Sequence, residues 1–117
     1  MRSWRWRALV VLATIWIGGC SRSSSGTGDQ KAQPIARGKE VYDVYCAQCH
    51  DATDLHLIKD PPKLDGLFTK PKLPSGAPAT DQEVRETILH GRGIMPPFEQ
   101  VVKGTDLDAL LLYLHTR

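Results

Sequence analysis

The sequence predicts an all-α domain of three main helices joined by long loops, and three observations carry that prediction. Apolar residues recur at helical spacing in three separate segments. No period-two apolar run extends beyond a few residues, so no substantial sheet is expected. A long stretch rich in Pro, Gly, Lys and Asp, from Asp51 to Ala79, divides the first helix from the second.

In the first helix, Gly38, Val41, Tyr42 and Tyr45 fall at i, i+3, i+4 and i+7, one face leading into Cys46. The second opens on the capping box Thr80-Asp81-Gln82-Glu83, runs through Val84, Ile88 and Leu89, and stops at Gly91. The third starts near Thr105, with Asp106 and Asp108 in the first turn, where they suit the helix dipole. Its apolar positions are Leu107, Leu110, Leu111 and Leu114. An irregular stretch as long as 51–79 is out of place in a compact domain unless it wraps something. A large apolar cofactor would give Leu55, Leu57, Ile58, Leu64, Leu67 and Phe68 a surface to cover, with a short helical turn around Leu64 to Phe68.

The ends set the domain limits. Met1 to Arg7 is positively charged, and Ala8 to Ile17 is an apolar run, too short to span a bilayer but suited to a secretory segment. It closes on Ile17-Gly18-Gly19-Cys20, which resembles a bacterial lipoprotein signal. The resemblance implies cleavage after residue 19 and lipid on Cys20. Ser21 to Ala36 then reads as a flexible linker with a root-mean-square span of about 20–25 Å. Residues 37–117 remain as the folded domain. The full chain of 117 residues has 15 Lys+Arg and 13 Asp+Glu, a net of +2. Losing Arg2, Arg5 and Arg7 leaves 12 against 13, a net of −1, so the basic balance is no argument for nucleic-acid binding.

Cys46-Ala47-Gln48-Cys49-His50 is the C-x-x-C-H pattern of covalent haem attachment. Two thiols three positions apart at a helix end can each add to one haem vinyl group, and the next imidazole is placed as an iron ligand. A redox dithiol would want alternating strands and helices, and a zinc site a second Cys/His pair; neither is present. With Cys20 on lipid, all three cysteines are used. Once the signal leaves, Met95 is the only methionine, set in Gly91-Arg92-Gly93-Ile94-Met95-Pro96-Pro97-Phe98, and it is the expected second axial ligand. His56, His90 and His115 are the competing ligands.

On these residues the chain resembles a class I (mitochondrial-type) cytochrome c domain of the small bacterial monohaem kind, over Arg37 to Arg117. Gly38-Lys39-Glu40-Val41-Tyr42 before CAQCH is similar to that family's N-terminal helix. Pro62-Lys63-Leu64-Asp65-Gly66-Leu67-Phe68 is similar to its proline segment. HGRGIMPPF resembles the methionine loop of short bacterial cytochromes, including those fused to oxidases and dehydrogenases. The resemblance implies a cytochrome c fold around one haem c and a Pro62 carbonyl accepting the His50 imidazole N–H. It also implies a helix crossing of Gly38 and Tyr42 against Leu110 and Tyr113. Family members with longer chains place a tryptophan near a propionate; all three tryptophans here lie in the signal, leaving Arg92 as the candidate.

The expected function is single-electron transfer, because His/Met ligation fills both axial positions and leaves no substrate site. The alternative is a haem-based gas sensor or small haem enzyme in which Met95 dissociates. Expected partners are redox proteins (an oxidase, a reductase or a dehydrogenase), met by a monomer lipid-anchored on the periplasmic side of a bacterial membrane. Ser21 after Cys20 favours the outer membrane by resemblance to Gram-negative sorting. Lys39, Lys59, Lys63, Lys70 and Lys72 are available to steer docking.

Overall fold

The computed structural model describes residues 27–117. The signal and the lipidation site Cys20 lie outside the described residues. Helix α1 spans Thr27–Tyr45 and leads directly into α2, Ala47–His50. A single 3₁₀ turn, Leu67–Thr69, interrupts the long loop, and α3 (Asp81–His90) and α4 (Thr105–Leu114) follow. Among the described residues the only β pairing is two isolated bridges, Lys72 with Pro78 and Arg92 with Met95.

The first helix begins ten residues before the expected Arg37, so residues 27–36, read from the sequence as flexible linker, are helical. Gln30, Lys31, Ala32, Gln33 and Ala36 are all good helix formers, and low apolar content does not oppose a helix that lies in water. Pro34 sits inside it. Its missing N–H costs one hydrogen bond, to the carbonyl of Gln30, in a helix whose residues 31–33 are exposed.

The core forms where α1 crosses α4. Tyr42 and Leu110 are fully buried, and Val41, Leu107, Leu111 and Leu114 nearly so. Each of these leucines contributes roughly 1.5–3 kcal/mol of burial, an upper figure because the unfolded chain already hides part of them. Gly38 makes the crossing possible. A Cβ there would lie 2.0 Å from the Ala109 carbonyl oxygen and 2.8 Å from the Tyr113 Cβ. The Tyr42 and Tyr113 rings meet at 5.4 Å. The expected crossing is therefore present, with the Ala109 backbone rather than the Leu110 side chain under the glycine. At the far end Arg37 forks onto Asp106, both nitrogens at 2.8 Å.

Helix α3 has the predicted limits. The Thr80 hydroxyl accepts from Glu83 N at 3.3 Å, and the helix ends at Gly91, φ 73°. Arg85 to Asp108 and His115 to Asp81, both 2.7 Å, link it to α4. The loop packs less of itself: Leu67 and Leu73 join the core and Leu64 and Phe68 border it, while Leu57 and Ile58 stand on the polypeptide surface.

Candidate functional site

The end of α1 turns once more to place the C-x-x-C-H residues. Cys46 N donates to the Tyr42 carbonyl at 2.8 Å, and the Cys46 carbonyl accepts from Cys49 N at 3.1 Å and His50 N at 2.9 Å. The two cysteines and the histidine thus share one helical turn. Cys46 is half-buried and Cys49 exposed, and no disulfide joins them. Burial, and after it the nearby Asp51 charge, pushes the Cys46 thiol up to about 11.

His50 is the only buried polar or charged side chain among the described residues. Its Nδ1 lies 2.7 Å from the carbonyl oxygen of Pro62. A carbonyl only accepts, so Nδ1 carries the proton and donates, which leaves the Nε2 lone pair for a metal. Its Nε2 has no hydrogen-bond partner among the described residues and is not sealed from solvent, so it is open to a ligand-binding role. With two thiols beside it, the donor set fits a haem joined through Cys46 and Cys49 and ligated by His50. Lys63 Nζ donates to the Ala52 carbonyl at 2.6 Å and closes the loop that carries Pro62.

Met95 is half-buried against the core. Its segment is held by main-chain bonds. Arg92 N donates to the Met95 carbonyl and Met95 N to the Arg92 carbonyl, both at 3.0 Å. Gly93 has φ 60° at the first central position, as in hairpin turns of the II′ kind. Downstream, Phe98 N donates to the Ile88 carbonyl at 3.0 Å and Glu99 N to the Leu89 carbonyl at 3.2 Å, covering carbonyls that the end of α3 would otherwise leave open. Gly91 is required as well as favoured: a Cβ would sit 2.4 Å from the Met95 carbonyl oxygen. Arg92 contributes its backbone to this turn and leaves its side chain exposed.

The other three histidines each have a carboxylate neighbour at the surface. His56 lies 3.2 Å from Asp54, His90 3.1 Å from Glu86 and His115 2.7 Å from Asp81. His115 also stacks on Phe68, ring centroids 3.8 Å apart. Of the five lysines considered for docking, Lys39 pairs with Asp43 one turn along α1, and Lys63 is used in the loop.

Sequence reasoning missed a polar cluster beside His50. Arg117 donates through Nη1 and Nη2 to the two Asp51 oxygens, at 3.2 and 3.0 Å, and through Nε and Nη2 to Asp65 Oδ1, at 3.1 and 2.9 Å. The Tyr42 hydroxyl donates to Asp51 Oδ1 at 2.8 Å. Arg117, and then Tyr42, hold the Asp51 carboxyl below the usual carboxylate range. The only available signal is an aspartate directly after the C-x-x-C-H histidine; nothing local points to an arginine far along the chain.

A family model for cytochrome c oxidase, cbb3-type, subunit III matches residues 33–114. The chain is also similar to the cbb3-type cytochrome c oxidase subunit CcoP of Azospirillum sp. (strain B510), with 32% identity over 90 residues. That similarity covers 72% of this chain but only 29% of the relative, so the chain spans less than a third of the curated relative's length. No solved structure matches.

Proposed function

The chain belongs to the cbb3-type cytochrome c oxidase subunit III family, a cytochrome c family, and from that premise we propose a membrane-tethered monohaem electron carrier working between redox proteins in the periplasm. As a cytochrome c domain it holds covalent haem c. The haem supplies a reversible one-electron change at iron, and the polypeptide supplies everything that fixes its surroundings. In this reading Cys46 and Cys49 form the thioethers, His50 and Met95 are the axial ligands, and Pro62 sets the imidazole.

The observation that carries the reading is the 2.7 Å bond between His50 Nδ1 and the Pro62 carbonyl. It fixes the tautomer, turns Nε2 outward from the loop and raises the basicity of the ring. The methionine segment supports the same reading from the other side. Its main-chain bonds hold residue 95 against loss from a ligand position, which suits a carrier better than a gas sensor.

The Azospirillum relative is by name a subunit of a cbb3-type oxidase. A terminal oxidase is accordingly the first partner to test, ahead of a nitrogen-oxide reductase or a dehydrogenase. Among the described residues no helix is long and apolar enough to cross a membrane. The tether we propose is lipid on Cys20, on the periplasmic side of the outer membrane, with the domain acting as a monomer.

The test is the visible spectrum of the reduced protein with and without CO. A closed His50/Met95 site gives a low-spin spectrum that CO leaves unchanged, whereas Met95→Ala binds CO at once. Rapid CO binding by the unmodified protein sinks the carrier reading and favours the sensor.

A further inference from the structure

The cluster around Arg117 has no part in the reading above, yet it touches both ends of the bond that orients His50. Asp51 is the residue directly after His50, and Asp65 lies three residues beyond Pro62. One guanidinium holds both carboxylates, with distances from 2.9 to 3.2 Å. It also lies over the Tyr42 ring, Cζ to centroid 4.3 Å. The Arg117 carbonyl accepts from Gly66 N at 3.1 Å, so the backbone at 117 holds the proline loop as well.

These contacts differ from an ordinary surface ion pair. The Arg117 side chain is only 14% exposed, against 53% for Arg37 in its pair with Asp106. Tyr42 beneath it is fully buried and donates to the same Asp51 oxygen. Charge-assisted, two-pronged contacts in such a place are directional, and they fix distances between the segments that they join. A lysine would keep the charge and lose the fork.

We infer that Arg117 is a positioning residue for the His50 imidazole: by pinning the segment after His50 to the loop after Pro62, it sets the length of the His50–Pro62 hydrogen bond. The inference rests on His50 being the iron ligand. If the fork is lost, the two segments move independently and the N–H···O bond weakens. A less polarised imidazole donates less to iron, so the oxidised state is favoured less and the reduction potential rises.

The experiment uses the haem-loaded protein and three variants. Deuterium exchange of the His50 Nδ1–H, followed by NMR in the reduced state, is measured beside the reduction potential. Arg117→Lys preserves charge; it should exchange about tenfold faster than the wild type and show a higher potential. Asp65→Asn, which removes one prong and leaves Arg117 on Asp51, should speed exchange by a smaller factor, and it decides the question alone if Arg117→Lys does not fold. Arg37→Lys breaks a more exposed fork about 12 Å along α1 from Tyr45 and should change neither reading. Wild-type exchange and potential in Arg117→Lys would overturn the inference, as would an equal change in Arg37→Lys, which would mark a general loosening. A wild-type protein whose haem iron is not bound by His50 would overturn the ligation together with it.

Discussion

The crossing of α1 and α4 and the loop over residues 51–79 solve the same problem, holding chain in place around a small core, by opposite means. At the crossing two backbones touch through Gly38 and Ala109, and Tyr42 and Leu110 are sealed from water. In the loop only Leu67 and Leu73 are buried, while Leu57 is 47% exposed and Ile58 wholly so. Long-range order there comes from single polar contacts, such as Pro62 with His50, Lys63 with Ala52 and Asp65 with Arg117. Side-chain burial is cooperative and tolerant of small shifts. A loop hung on separate hydrogen bonds is only as ordered as the groups that it hangs from, and here these groups surround the C-x-x-C-H turn.

The largest expected effect tests that dependence. On the proposed attachment, replacing Cys46 and Cys49 together by serine should remove covalent haem, and a domain of this size has a marginal core without it. Most of the helical circular dichroism should be lost; near-native helicity in the variant would mean that the crossing is self-sufficient. Next is Gly38→Ala in the haem-loaded protein. Its methyl group has no room against the Ala109 carbonyl, and overpacking should cost about 3 kcal/mol in denaturant unfolding. A loss below about 1 kcal/mol would show that the helices can part without harm.

The smallest effect concerns pH at the edge of the crossing. Arg37, chiefly by its hydrogen bonds, holds the Asp106 carboxyl below the usual range. A depressed carboxylate adds stability above its unfolded pKa of about 3.9, and that contribution disappears as pH falls through the lower folded value. Wild type should exceed Asp106→Asn in stability at neutral pH and converge with it in acid, once the pH has fallen below the depressed folded value. Because the pair is exposed, the separation should be small and should shrink further in salt. Parallel curves across the whole range would remove the ion pair from any account of the crossing.

Legibility followed the same division. The bounds of α3 and the start of α4 were readable because caps and helical periods are local: Thr80, Gly91 and Thr105 announce themselves within four residues. The C-x-x-C-H turn is readable for the same reason. The early start of α1 was not, since residues 31–36 are exposed or only half-buried and helix formers of that kind leave no apolar period. The Pro62 contact came only through resemblance, and the Arg117 cluster not at all. Its partners lie 52 and 66 residues away, and no periodicity records a pairing that exists only after the chain has folded.

The turn at residues 92–95 has a consequence for how this surface can change. Its two closing bonds are both between main-chain groups, and the side chain at its tip, Ile94, is 66% exposed. The backbone beside Met95 is thus specified without help from the residue that stands outermost. Substitution at position 94 alters surface chemistry at constant geometry, which makes the tip an interchangeable fitting next to a part that has to stay still.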